Sequence, residues 1–279
     1  MDVEFIEVSG GKLSYEDTHG EGPLVILMAP MGATRSVYRF VVPTLANAGY
    51  RVVSLDLRGH GDSSTDWDDY SIAAHGRDLL ELIDSLNAGP AFVVGNSFSG
   101  GAAVWAAVEA PDRLAGIVLM DAFVRKVDAN PVTAAIMGLA LAGPWGPSVW
   151  MSYYKKMYPT RQPDDFDAHL AETRKNMKEP GRSHAVRKVA TASKVDSEER
   201  LDRVDVPVLV IMGADDPDFP DAAAEASFQA EILDAQKVMI EGAGHHPQAD
   251  TPEAVVAALV DFFGGSPQHS EADREEVST

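Results

Sequence analysis

Six short runs of nearly uninterrupted apolar residues, at 23–28, 51–57, 91–95, 116–120, 207–212 and 237–240, constrain this chain more than any other feature. A strand that is apolar on successive residues has no face to offer to water, so both of its faces must be covered. Stretches of helical length, at 38–48, 71–86, 100–110, 222–233 and 252–263, lie between or after these runs. The alternation predicts β-α-β units with right-handed crossovers, and hence a mostly parallel sheet between two helical layers. Two earlier segments, 5–8 and 12–16, turn at Gly10-Gly11 and read as an antiparallel pair. The expected class is a three-layer α/β sheet.

That rhythm stops between 122 and 204, where no clear β run appears. A plain loop of this length does not belong in a compact domain, so the segment is expected to be a helical cap inserted after a core strand. The core is then 1–121 with 205–264. Residues 131–154 carry no charge, but Gly143-Pro144-Trp145-Gly146-Pro147 interrupts them. Two buried helices are expected there rather than a membrane span. Residues 265–279, polar and acidic, read as a disordered tail.

Charge narrows the partners. With 43 Asp and Glu against 23 Lys and Arg, the net charge is −20, a field that repels nucleic-acid backbones and anionic lipid surfaces. The balance is uneven, because 122–204 holds 14 Lys and Arg against 10 Asp and Glu, leaving the remainder strongly acidic. Lys155, Lys156, Arg174, Lys175, Lys178, Arg182, Arg187 and Lys188 form its densest basic group. Such a segment either docks on an acidic core or recruits an anionic substrate, for example an acyl group on an acidic carrier. The chain has no cysteine, which excludes disulfides, thiolate metal sites and a cysteine nucleophile. Its acidic, alternating start lacks the basic and apolar regions of a secretory signal, so the cytoplasm is the expected compartment.

Three loops that follow predicted strands carry candidate chemistry. Val93-Val94-Gly95-Asn96-Ser97-Phe98-Ser99-Gly100-Gly101 sets a serine between a buried strand and a Gly/Ala-rich helix, with small residues around it. Such a sharp turn strains the serine backbone and lifts its hydroxyl above the sheet, and only small neighbours let strand and helix approach. Ser99, with Ser97 two before it and Gly101 two after it, is a rival nucleophile. Gly213-Ala214-Asp215-Asp216 follows the 207–212 run, and Gly242-Ala243-Gly244-His245-His246 follows the last run. Either aspartate could instead cap a turn before the next helix, and a loop histidine could be a polar surface residue.

Together these motifs resemble the α/β-hydrolase family, in its serine-esterase branch with a helical cap. The resemblance covers about 5–263 without the cap, and departs from the G-x-S-x-G pattern at Ser99, which replaces the second glycine. It implies Ser97 as nucleophile, Asp216 as triad acid and His245 as general base, with Asp215 and Asp121 as competing acids. It also implies oxyanion donors at the Phe98 N–H and, after the 23–28 strand, at Met31, because Pro30 has no N–H to give. The turn Asp56-Leu57-Arg58-Gly59-His60-Gly61 fits a further family signature, with no chemistry assigned to His60. The expected activity is cleavage of a small carboxylic ester or thioester without cofactor or metal. Other readings on the same fold are acyl transfer, cofactor-free C–C cleavage or oxygen chemistry, and a slow-turnover receptor. A histidine base predicts kcat/KM falling as pH drops through roughly 6 to 7. Within the cap, Trp145, Trp150 and Tyr153 are the expected acyl-pocket residues.

Overall fold

The computed structural model describes residues 1–126, 139 and 141–265, built around an eight-stranded sheet. β1 (Glu4–Val8) and β2 (Gly11–Asp17) make the antiparallel hairpin. β3 (Leu24–Met28), β4 (Arg51–Leu55), β5 (Ala91–Asn96), β6 (Leu114–Met120), β7 (Val208–Gly213) and β8 (Gln236–Ile240) follow, mutually parallel, in the spatial order β1-β2-β4-β3-β5-β6-β7-β8. Every residue of β3, β5, β6 and β7 is buried, as expected for strands covered on both faces. The outer strands β1 and β8 alternate or face water and carry the charges that suit an edge.

The helices fall on two sides. α1 (Val41–Asn47), α2 (Ile72–Leu86) and α3 (Phe98–Glu109) lie between the first strands, while α8 (Ala222–Ile232), α9 (Pro247–Asp250) and α10 (Pro252–Gly264) complete the core. Between β6 and β7 come α4 (Gly146–Lys156), α5 (Phe166–Met177), α6 (Arg182–Ala190) and the single turn α7 (Val195–Glu198). Alternate residues of the central strands feed different layers: Val25 and Leu27 pack with Tyr38, Leu259 and Phe263. Leu24, Ile26 and Met28 pack with Leu79, Leu82 and Val104 of α2 and α3.

Element ends differ from the periodicity in instructive ways. The expected helix at 38–48 is a short 3-10 turn, Arg35–Tyr38, followed by α1. Tyr38 is pinned there by its hydroxyl, which donates to the Met28 carbonyl at 2.9 Å. The strand expected to reach Leu57 ends at Leu55, although the Asp56 N–H still donates to the Ser14 carbonyl of β2 at 3.0 Å. Helix α3 begins two residues earlier than its Gly-Gly pair suggests, since the turn at Ser97 supplies its start. Of the uncharged stretch, residues 131–138 and 140 lie outside the described residues, as do those beyond 265. No helix among the described residues is long and apolar enough to cross a membrane.

Candidate active site

The register brings the carboxyl ends of the central strands level: Met28 pairs with Gly95, Asn96 with Met120, Met120 with Ile211 and Gly213 with Ile240. The chain turns one way after β3 and the other way after β5, so a crevice opens at this edge between the two strand ends. All three candidate loops emerge along it.

Ser97 sits at φ 59°, ψ −124°, a left-handed conformation costly for a residue with a Cβ. Its backbone is nevertheless fully used. The N–H donates to the Met120 carbonyl at 2.9 Å, and the carbonyl accepts from Gly100 and Phe123 at 3.2 and 3.1 Å. A Cβ on Gly95 would lie 2.7 Å from the Gly100 backbone, so the small residues permit the close strand–helix approach. Ser99 is placed differently: wholly buried, its hydroxyl faces the carbonyls of Asn96 at 2.8 Å and Met28 at 3.1 Å. It staples the elbow to the end of β3.

On the histidine loop, His245 Nδ1 meets Asp216 Oδ2 at 2.7 Å, with both side chains buried. Asp216 Oδ1 accepts the Asp218 N–H at 2.8 Å, which stiffens the acid's turn. Asp215 is exposed and accepts from the Thr160 hydroxyl, away from the imidazole. Asp121 stands beside the pair, but its Oδ1 takes the Gly213 N–H at 2.8 Å. Burial, together with the neighbouring Asp216, pushes its carboxyl well above the usual carboxylate range. Asp121 is thus a strand-bridging acid behind the one that touches His245. Ligand atoms of Asp121, Asp216 and His245 lie within 4.8 Å of one another, yet a cation there would have to displace the 2.7 Å His245–Asp216 bond.

Burial alone would lower the His245 pKa, but Asp216, Asp218 and Asp121 outweigh it and push the imidazole up to about 10. Its Nε2 is buried without a hydrogen-bond partner, with Asp218 Oδ2 3.6 Å away. The expected acid limb between pH 6 and 7 therefore moves upward. Phe123 flanks the ring at 5.6 Å between centroids and stacks on Phe219 at 4.9 Å.

Several contributors were not read from the sequence. Asn96 donates through Nδ2 to the carbonyls of Met120 (2.9 Å) and His245 (3.3 Å), and its Oδ1 accepts from Gln248 (2.9 Å) and His246 Nδ1 (3.1 Å). One amide thus ties three strand ends, and the polar residue ahead of Ser97 was its only sequence signal. Asp218 was visible merely as a third aspartate after Gly213.

The segment between β6 and β7 reaches the same edge. Trp150 on α4 is buried and donates its indole N–H to the Gly32 carbonyl at 2.9 Å, next to Met31. Gly32 has φ 69°, and a Cβ there would enter the Trp150 ring. Tyr153, half-buried, donates its hydroxyl to Asp218 Oδ1. Past the end of α4, the Met157 carbonyl accepts the His245 N–H at 3.0 Å. Trp145 is 57% exposed and joins none of these contacts. Phe98 is buried, with the His75 ring edge-on at 5.0 Å and the Lys194 ammonium 5.3 Å from its centre.

Comparisons with known proteins agree on the family. A model of the alpha/beta hydrolase family matches residues 19–258. A Caulobacter protein named as a carbamate hydrolase is 28% identical over 269 residues, covering 95% of this chain and 97% of that protein. The pimeloyl-acyl-carrier-protein methyl ester esterase of Neisseria meningitidis is 26% identical over 246 residues, covering 86% and 93%. Among solved structures, an esterase of Exiguobacterium antarcticum superposes with a TM-score of 0.82 at 20% identity, over 94% of this chain and 99% of that one, a likeness of fold.

Proposed function

This chain belongs to the alpha/beta hydrolase family, and on that premise we propose that it is a serine hydrolase cleaving a small carboxylic ester or thioester through an acyl-enzyme on Ser97. The observation that carries the reading is the pairing of a strained, elbow-held Ser97 with the buried 2.7 Å contact between His245 Nδ1 and Asp216 on the same sheet edge. Asp216 fixes the tautomer that leaves His245 Nε2 as base, and stabilises the imidazolium that forms when Ser97 gives up its proton. Ser97 then attacks the carbonyl, and the backbone N–H groups of Phe98 and Met31 hold the developing oxyanion. The imidazolium returns its proton to the departing alcohol or thiol, and water releases the acid by the reverse sequence.

The helical segment from α4 to α7 is the cap in this reading, with Trp150 and Tyr153 at the acyl pocket. Lys155, Lys156, Arg174 and Lys178 are exposed on it, which supports an acyl portion presented by an acidic carrier. Arg182, one of the basic residues prominent in the sequence, is buried and donates to the Ser63 carbonyl, so it is absent from that surface.

The test is turnover of p-nitrophenyl esters by the wild type and two serine variants. Ser97→Ala should lower kcat by roughly 10^4-fold to 10^6-fold with the fold retained. Ser99→Ala should lose stability through its two carbonyl contacts while the residual folded enzyme still turns over. An inactive but folded Ser99→Ala beside an active Ser97→Ala would refute the assignment.

A further inference from the structure

Asp218 is not part of the Ser-His-Asp arrangement, yet its carboxylate approaches the one imidazole atom that exchanges protons with the substrate. Its Oδ2 lies 3.6 Å from His245 Nε2, while Oδ1 accepts the Tyr153 hydroxyl and its own N–H is held by Asp216 at 2.8 Å. Only 7% of the side chain is exposed. Three attachments, to the acid loop, the cap helix and the histidine, therefore aim a buried carboxylate at Nε2.

A leaving heteroatom must come within about 3 Å of that nitrogen to take its proton. Atoms one or two bonds further along the leaving group then fall within hydrogen-bond reach of Asp218 Oδ2. A buried carboxylate needs donors on both oxygens. Tyr153 supplies one, to Oδ1, while Oδ2 faces His245 Nε2 at 3.6 Å, an ionic contact only while the imidazole is protonated. In the reactive form, where the imidazole is neutral and ready to take the serine proton, and again after it has protonated the leaving group, Oδ2 lacks a charged partner. A substrate that brings its own donor fills that gap, whereas one bearing a carboxylate there adds a like charge beside Asp216 and Asp218 around one imidazole.

We propose that Asp218, oriented by Tyr153, forms a leaving-group subsite that selects alcohol or thiol portions carrying a hydroxyl, N–H or ammonium group close to the scissile bond and rejects those carrying a carboxylate. The inference rests on the serine-hydrolase reading and concerns only the leaving-group end. It is compatible with a basic outer face for the acyl portion.

Four esters of one short acyl group test it, with propyl, 2-hydroxyethyl, 2-(dimethylamino)ethyl and carboxymethyl leaving groups of similar size. Wild type should favour the protonated aminoethyl over the carboxymethyl ester by about tenfold or more in kcat/KM, as expected for hydrogen bonds to a charged group. Asp218→Asn should bring that ratio close to one. Tyr153→Phe keeps the Asp218 carboxylate but removes the hydroxyl that orients it, and should weaken the preference without abolishing it. An unchanged ratio in a folded Asp218→Asn, or a wild type that prefers the carboxymethyl ester, would overturn the proposal. Should Asp218→Asn fail to fold, product inhibition of the wild type decides: 2-(dimethylamino)ethanol should inhibit more strongly than propanol, and glycolate more weakly, with the reverse order refuting the subsite. Fluorophosphonate labelling of Ser97 separates the two readings, because a labelled enzyme without leaving-group selectivity loses only the subsite, and an unlabelled Ser97 in an active enzyme loses the serine mechanism itself.

Discussion

At the scale of single residues, electrostatics around His245 carries the proposed chemistry. Its raised pKa means that the imidazole is protonated below about 10 in the resting site and becomes a base only as protons leave. The acid limb of kcat/KM should therefore lie well above the ordinary histidine value of about 6.5, with activity rising through the alkaline range. A limb at 6 to 7 would show that the three carboxylates do not act on the ring as their positions imply. Asp216→Asn should cost orders of magnitude, because it removes the group on Nδ1 and favours the wrong tautomer. Asp121→Asn should cost far less activity, since its main partner is the Gly213 N–H and its carboxyl is already driven toward the neutral form. Steady-state profiles of both variants test this, and a dead Asp121→Asn beside an active Asp216→Asn would exchange their roles. The candidate residues were legible because each follows a strand in Ser, Asp, His order. Asp218 was not, because its meaning lies in contacts with Tyr153 and His245 that no local pattern encodes.

At the scale of elements, α4 links the inserted helical segment to the candidate site: Trp150 bonds the Gly32 carbonyl, Tyr153 bonds Asp218, and the chain just beyond it holds the His245 N–H. Gly244 belongs to this junction, for a Cβ on it would collide with the Met157 carbonyl. The central strands were readable because their all-apolar runs can only be doubly covered. The inserted helices were not, because their apolar residues pack against loops distant in sequence, and short amphipathic patterns do not say against what. Composition alone made Trp145 and Trp150 equivalent, but one is 57% exposed and the other 1%. Trp150→Ala should destabilise by about 3–5 kcal/mol, as large aromatic truncations in a core do, and should shift the preference between short and long acyl esters. Trp145→Ala should stay within about 0.5 kcal/mol, as surface changes do. Denaturant unfolding and an acyl-length series measure both, and equal effects of the two variants would contradict the role given to α4.

Across the whole molecule, buried histidines set how stability depends on pH. Burial lowers His60 and His169 to about 4 and His75 to about 3, and lowers His246 further below its ordinary value. Each is neutral in the fold, so as pH falls below about 6.5 the unfolded chain takes up the protons first and stability is lost, by up to about 1.4 kcal/mol per pH unit per histidine. Asp78 and Asp250, raised by burial to about 6, and Asp121 act in the opposite sense, because the fold binds their protons first. His245 also contributes oppositely, with stabilisation that is complete below about 6.5 and lost as pH rises through about 10. Between pH 7 and 6 these opposed contributions nearly offset, so the melting temperature should change little there and fall as pH drops from about 6 to about 4, where the unfolded chain protonates the buried histidines and the fold does not; a melting temperature that rises over that lower interval would contradict the buried neutral histidines. The architecture itself, a mostly parallel sheet with its loops gathered at one edge, followed from the apolar runs, and the central claim is what those loops do together. It is tested most directly by reacting the native protein with a fluorophosphonate and mapping the adduct by peptide mass spectrometry. The account predicts one phosphonyl group, on Ser97, formed in step with loss of esterase activity and blocked by prior acylation. An adduct on Ser99, or full loss of activity with Ser97 unmodified, would contradict it.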